Sequence, residues 1–269
     1  MSVLHLSKHH GLGNDFLVLF DPPPGLDLGA LAVRLCDRRT GIGADGLLIG
    51  TDQAGVSARM RLHNADGSVA EISGNGIRCF VQAVARRLGE DGPFLVATDA
   101  GERLVHILAR DGATIEASVP MGAVSALPEP AGWAAIGCDP HRPVAHVGLG
   151  NPHTVVGVDD VEVVDLVAIG SRVPDVNLEI IEPGPEPDAV TMRVHERGAG
   201  ITLACGSGAC ASAWAALQWG LVAGTASEIT VHMPGGDAKV QIHQPHHGEV
   251  TLVGPATLVA DLTIQQEHV

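Results

Sequence analysis

The chain has 269 residues and a formal net charge of −15 at pH 7, from 31 Asp and Glu against 16 Lys and Arg. That excess of acid argues against nucleic acid or an anionic membrane surface as a partner. The hydrophobic fraction is 45% but only 3% is aromatic, with no tyrosine. A core must therefore come from Val, Leu, Ile and Ala, and a chain this long can bury enough of them to fold without staples.

The five cysteines (Cys36, Cys79, Cys138, Cys205, Cys210) are odd in number and lack metal-ligand pairing. No signal peptide or apolar run of membrane length is visible. The expectation is a soluble, cytoplasmic protein with free thiols and no bound metal. Lys8 and Lys239 are the only lysines, and neither has a glycine-rich setting, which argues against a pyridoxal Schiff base and for a site without a cofactor.

From the N-terminus, the first turn signal is G-L-G-N at Gly11–Asn14. His9–His10 just before it could suggest metal, as could H-Q-P-H-H at His243–His247. No acidic or cysteine partner holds ligand spacing with either, and solvated surface is expected for both. Next, G-I-G-A-D-G at Gly41–Gly46 fits a dinucleotide fingerprint in letters only. C-D-R-R-T precedes it rather than an apolar strand, and L-L-I-G after it reads as a strand rather than a helix.

A β-rich run then rises to M-R-L-H at Met60 and passes through N-A-D-G-S to S-G-N-G at Ser73–Gly76. A helix follows, with Ile77, Val81, Val84 and Leu88 at helical spacing and Gly89 at its C-terminus. After F-L-V-A-T-D-A-G, from Phe94, the pattern starts again. G-L-G-N recurs at Gly148–Asn151, and M-R-V-H recurs at Met192. C-G-S-G at Cys205–Gly208 opens a helix apolar nearly all round, closed by Gly220, and I-T-V-H-M-P-G-G follows from Ile229. D-P-P-P-G, from Asp21, and E-P-G-P-E-P-D, from Glu182, read as surface turns.

At an offset of 132 the segment from Met60 lies without gaps on that from Met192. His63 then falls on His195, Gly74 and Gly76 on Gly206 and Gly208, and Ser73 on Cys205. The chain reads as an internal duplication split near residues 118–122. The first half is 1–119, completed by 257–269, and the second is 120–256. Ser73 and Cys205 each open a central helix, where free N–H groups and the helix dipole favour an anion. For Cys205 this should lower the thiol pKa and supply thiolate. Two half-sites related by a pseudo-twofold, facing across a cleft, give the geometry of a two-base racemase.

These residues resemble the diaminopimelate epimerases, which are pyridoxal-independent and use a cysteine pair. The resemblance spans nearly the whole chain. It is carried by G-L-G-N-D-F at Gly11, R-R-T-G-I-G-A-D-G-L-L at Arg38, N-A-D-G-S at Asn64 and S-G-N-G-I-R-C at Ser73, then by G-N-P-H at Gly150, V-N at Val176, H-E-R-G-A-G at His195 and C-G-S-G. It implies a mixed α/β (α+β) fold of two homologous, pseudo-twofold-related halves, each a β-sheet or barrel wrapped around a central helix, with the active site in the cleft between them. It further implies Cys205 as one acid/base and Ser73 at the place of the other. Gly74, Asn75, Gly206 and Ser207 would hold the reacting α-carboxylate. Asn14, Asn64, Asn151, Asn177, Glu196 and Arg197 would bind the rest of an amino-acid substrate. His153 is a candidate for a supporting role, and a homodimer is implied as well.

Two departures stand out. The family has cysteine where this chain has Ser73, and usually glutamate in G-x-G-E-T where this chain has Ile201. A serine hydroxyl is a poor general base, because helix-terminus effects of about 0.3–2 kcal/mol fall well short of stabilising an alkoxide. Three origins stay open: a serine engineered in place of cysteine, a divergent paralogue acting as racemase or dehydratase on another, hydroxylated amino acid, or an epimerase of reduced or asymmetric activity. A homologue that only binds amino acids is the non-enzymatic alternative. His63 and His195, matched across the repeat on strands, are expected to be structural, and Cys79 and Cys210 to be buried small hydrophobes.

Overall fold

The structure, a computed structural model, describes residues 3–244 and 248–265. His246 and His247 of the histidine-rich segment, and the last four residues of the 257–269 segment, lie outside them. The elements run β1 (Val3–Gly11), β2 (Asn14–Phe20), α1 (Leu28–Cys36), β3 (Gly46–Thr51), β4 (Ala58–Asn64), β5 (Val69–Ala70), α2 (Gly74–Leu88), β6 (Phe94–Thr98), β7 (Gly101–Asp111) and β8 (Thr114–Ala123). They continue with β9 (Ser125–Ala126), α3 (Trp133–Ile136), β10 (Val144–Gly148), β11 (Pro152–Gly157), α4 (Leu166–Gly170), β12 (Asn177–Pro183) and β13 (Ala189–Glu196). The last are β14 (Gly200–Thr202), α5 (Gly206–Trp219), β15 (Glu228–Met233), β16 (Gly236–Gln244) and β17 (Glu249–Gln265). The chain divides into a unit of residues 1–119 with 254–269 and a unit of residues 120–253, so β8 and β17 each contribute to both.

In the first unit β1 pairs antiparallel with β2, β2 parallel with β3, β3 antiparallel with β4, β4 parallel with β6, and β6 antiparallel with β7. β7 continues to β8, and β17 returns antiparallel along β1. β8 and β17 also pair, with Leu258 N–H donating to Ala113 O at 2.9 Å, which closes eight strands into a barrel. The second unit repeats the signs of these pairings. β10–β11 is antiparallel, β11–β12 parallel, β12–β13 antiparallel, β13–β15 parallel and β15–β16 antiparallel. α2 and α5 occupy equivalent places in the two units, as the internal repeat in the sequence requires.

Strand parity explains the layering. β2 is buried on both faces, so it reads as a continuous apolar run rather than an alternation. Leu17 and Leu19 join α1 residues Leu31 and Leu35 in one core cluster. Phe16, of opposite parity, reaches the N-terminus of α2, its ring 3.4 Å from where a Cβ on Gly76 would lie. In the second unit Leu178 and Ile180 of β12 join Leu166 of α4 in an outer cluster, which leaves Asn177 and Glu179 on the other face.

One expectation fails here. His9 is fully buried rather than solvated. In β1 the buried residues are first Leu4 and Leu6, then His9 and Gly11. β1 keeps one unbroken register along β2, with Leu6 opposite Leu19 on the α1 side and His9 opposite Phe16 on the α2 side, so it is the covered face that changes along β1. The register shift between Lys8 and His9 places its extra residue in β17. His9 Nδ1 lies 2.7 Å from Gln82 Oε1 of α2 and Nε2 lies 2.8 Å from Ser7 Oγ. Burial, chiefly, lowers its pKa from 6.5 to about 4.

Candidate active site

The two helix N-termini have matching backbone geometry. Ser73 caps α2 at φ −132°, ψ 125°, with Oγ accepting the Gly76 N–H at 3.0 Å. Cys205 caps α5 at φ −124°, ψ 114°, with Sγ accepting the Gly208 N–H at 3.4 Å. Both helices end on a left-handed glycine, Gly89 and Gly220. Serine is a preferred capping residue in its own right, so Ser73 satisfies its helix as well as a cysteine would.

Around Ser73 the first unit gathers Asn14, Asn75 and their supports. Asn75 Nδ2 donates to Asn14 Oδ1 at 3.3 Å, and Asn14 Nδ2 donates to Asp45 Oδ2 at 2.7 Å. The G-L-G-N turn makes this possible. Leu12 and Gly13 are the two residues of a β1–β2 hairpin at φ 56° and 82°, the left-handed pair that a two-residue turn of this twist demands. Asn14 is thereby set as the first residue of β2. Asp45 also takes Arg38 at 2.7 Å, and Arg38 bridges to Asp15 at 2.6 Å, where Lys8 adds a second ion pair at 2.8 Å. Arg78, wholly buried, donates to Asn75 Oδ1 at 2.7 Å and to Gly74 O at 3.0 Å, locking the first turn of α2 from below. Asn64, at the end of β4, donates to Ser68 Oγ at 3.0 Å.

Around Cys205 the second unit gathers a histidine and two acids. His153 on β11, Asn177 and Glu179 on β12, and Glu196 on β13 approach the α5 N-terminus. His153 Nδ1 is 2.6 Å from Glu179 Oε1, and Nε2 is 2.8 Å from Asn151 Oδ1. Asn177 Oδ1 accepts the backbone N–H of Arg197 at 2.9 Å, fixing the turn from which the Arg197 side chain extends into solvent. Thr202 donates its hydroxyl to Glu196. Ser207 Oγ lies 3.7 Å from Cys205 Sγ. The second G-L-G-N differs from the first. β10 pairs Gly148 with Pro152, so Asn151 stays in a three-residue loop, where it can turn to His153.

The expected low thiol pKa at Cys205 is corrected by this environment. Burial first, then the Glu196 and Glu179 carboxyl groups, push the Cys205 thiol well above its ordinary range, and the Gly208 N–H offsets this only in part. Helix-terminus stabilisation, about 0.3–2 kcal/mol, loses to full desolvation beside two acids. Burial likewise raises Glu179. Glu179 was absent from the sequence-based candidates. Its signal was an acid inside the otherwise apolar run L-E-I-I, a pattern that a half-exposed strand also produces.

His63 and His195 sit on β4 and β13. His63 Nδ1 is 3.4 Å from Gly67 O, and the His195 ring packs so closely on Gly170 that no Cβ fits there. Cys79 and Cys210 are fully buried on α2 and α5, and none of the five cysteines is in a disulfide. Among the described residues no group of His, Cys, Asp and Glu is arranged to hold a metal ion, and no helix is long and apolar enough to cross a membrane.

Comparison with known proteins decides the family. The diaminopimelate epimerase family model matches residues 6–127 and 145–259. This chain belongs to the diaminopimelate epimerase family. It is 39% identical to a diaminopimelate epimerase of Streptomyces coelicolor, covering 94% of this chain and 93% of that one. It is 37% identical to a diaminopimelate epimerase of Moorella thermoacetica, over 95% and 97% respectively. A solved structure of a Bacillus anthracis phenazine biosynthesis protein of the PhzF family shares the fold, with a TM-score of 0.77 at 14% identity over 98% of this chain and all of that one. The chain is an isomerase of the amino-acid epimerase type.

Proposed function

We propose that this protein moves a proton at the α-carbon of diaminopimelate, interconverting stereoisomers without pyridoxal phosphate, and that Cys205 is its one competent acid/base. The observation that carries the reading is the pairing of a thiol cap on α5 with Glu196, Asn177 and the Arg197-bearing turn in one unit. A glutamate with amides suits an ammonium group, and an arginine suits a carboxylate, so this inventory fits a substrate with amino-acid groups at both ends. Each unit offers helix-terminal N–H groups of the kind a carboxylate takes, at Gly74 and Asn75 in the first and at Gly206 and Ser207 in the second.

The electrostatics supply a sequence of events for Cys205. In the empty site the thiol is protonated, because burial first and then Glu196 oppose the thiolate. An incoming ammonium that pairs with Glu196 cancels the larger of the two carboxyl influences. The thiol then loses its proton more easily at the moment a substrate is present. Ser73 has no comparable route. Its hydroxyl is far less acidic than a thiol, and the one helix N–H it accepts does not make up the difference, so its contribution is to donate a hydrogen bond or, weakly, a proton.

The test is α-proton exchange in D₂O, followed by NMR, with LL- and meso-diaminopimelate offered separately. Exchange that depends on Cys205, abolished in Cys205→Ala, supports the reading. Exchange of neither isomer by this protein or by Ser73→Cys overturns it and moves the search to hydroxylated amino acids, the dehydratase reading, or to amino-acid binding without turnover. Cytoplasmic residence and a homodimer belong to the same reading, and sedimentation checks the second.

A further inference from the structure

The two half-sites differ most in what lies under the caps. In parallel register, Phe16 pairs with Gly46 and Val18 with Leu48 in the first unit; His153 pairs with Asn177 and Val155 with Glu179 in the second. The duplication therefore sets Phe16 and Leu48 where the second unit has His153 and Glu179. The cap glycines report the same substitution. A Cβ on Gly76 would meet Ser73 and the Phe16 ring, whereas a Cβ on Gly208 would lie 2.6 Å from Glu179 Oε1 and 3.2 Å from Cys205 Sγ. Serine stands over an apolar floor, and cysteine over a buried polar pair.

The hydrogen bonds constrain the protons of that pair. Asn151 presents its carbonyl oxygen, an acceptor only, to His153 Nε2, so Nε2 carries a hydrogen. At 2.6 Å, a second hydrogen must lie between His153 Nδ1 and Glu179 Oε1. Two protons on these three sites make the pair neutral as a whole, either acid with imidazole or carboxylate with imidazolium. Both side chains are fully buried, and Glu179 Oε2 has no hydrogen-bond partner. An anionic oxygen with no donor in a dry interior costs far more than a neutral carbonyl oxygen in the same place. The register partners of Glu179 across β11 and β13 are Val155 and Val194, which solvate neither form.

We propose that Glu179 is a positioning residue held as the carboxylic acid. Its O–H donates to His153 Nδ1, which fixes His153 as the Nε2–H tautomer on Asn151 and leaves Glu196 as the carboxylate that acts on Cys205. The titratable groups facing Glu179 are His153 from β11, Glu196 from β13 and Cys205 at the start of α5. The raised pKa of Glu179 agrees with this assignment. Its consequence for catalysis rests on Cys205 being the acid/base. With Glu179 neutral, its share in raising the Cys205 thiol falls away; burial and the single negative neighbour Glu196 remain, and a substrate ammonium on Glu196 removes that one.

The proton is located by ¹⁵N NMR of histidine-labelled protein, with His153 assigned by difference from His153→Asn. The expected spectrum shows His153 with an unprotonated Nδ1 and a protonated Nε2, unchanged in Glu179→Gln, whose amide still donates to Nδ1. An imidazolium signature in the native protein that Glu179→Gln abolishes overturns the proposal. The pH dependence of Cys205 alkylation by iodoacetamide, read by peptide mass spectrometry, gives a second check. Its midpoint should stay put in Glu179→Gln; a fall of the midpoint means a carboxylate charge was removed and contradicts the assignment. Both readouts work without substrate, so they stand apart from any failure to turn over diaminopimelate. Where exchange is measurable, Glu179→Leu should lower kcat by about tenfold to a hundredfold with little change in KM, while Glu179→Gln stays close to native. Equal losses in the two variants would show that the acid proton is not what matters.

Discussion

Lowering the pH should weaken the tie between β1 and the helix that carries Ser73, because His9 is buried in its neutral form. Its pKa in the fold is about 4 against 6.5, and burial is the main cause. Between those values the unfolded chain binds a proton that the native state refuses. Stability therefore rises with pH across the window, is fully present above 6.5 and is lost as pH falls towards 4. At roughly 1.4 kcal/mol per pH unit, the loss comes to about 3 kcal/mol, a large share of an ordinary folding free energy. Urea unfolding at half-unit steps from pH 7.5 to 4 measures it. Carboxylates held low by ion pairs, such as Asp15 and Asp261, add their own losses nearer their own range, so the comparison is with His9→Gln. That variant keeps an amide beside Gln82 and cannot titrate. Its stability should start lower at pH 7.5 and decline less, the difference between the curves narrowing by about 3 kcal/mol at pH 4. Parallel curves would show that His9 does not titrate as the structure implies.

Other outcomes follow from the two caps. Ser73→Ala removes the acceptor for Gly76 N–H and should cost about 1 kcal/mol in thermal unfolding; no loss would mean that the cap is replaced by water. Gly208→Ala places a methyl 2.6 Å from Glu179 Oε1 and should cost about 2 kcal/mol or more and disturb activity, whereas Gly89→Ala, with nothing within 4 Å, should cost only its left-handed backbone strain. Glu196→Gln should lower the pH midpoint for alkylation of Cys205, since a charge that raises the thiol pKa is gone; an unmoved midpoint would assign the raised pKa to burial alone. Cys36 and Cys79, pushed up to about 12 by burial, should resist the reagent in both proteins.

The duplication, the two helix starts and the closing glycines were legible because capping and helix termination are local chemistry. S-G-N-G and C-G-S-G fold the same way whichever residue leads. The candidate site residues around the helix N-termini were named through family resemblance. What was not legible depends on burial by distant parts of the chain. His9 is buried because β1 sets it opposite Phe16, on the side that Gln82 of α2 covers 73 residues later in the chain. Glu179 looks like any acid on a strand until β11, β13 and α5 cover it. The thiol pKa of Cys205 was misjudged for the same reason, since helix-terminus chemistry is visible in the sequence and the desolvation that outweighs it is not.

The central claim is that Cys205 is a working acid/base and that Ser73 limits the reaction. The most direct measurement compares α-proton exchange of LL- and meso-diaminopimelate in D₂O by the native protein and by Ser73→Cys. General acid/base catalysis contributes about a hundred- to ten-thousand-fold, so the variant should gain on that order and should epimerise in both directions. The native protein should be nearly silent or exchange one isomer alone. Two-way epimerisation by the native protein at a rate that Ser73→Cys leaves unchanged would contradict the account, because the serine would then be a sufficient partner or no partner at all.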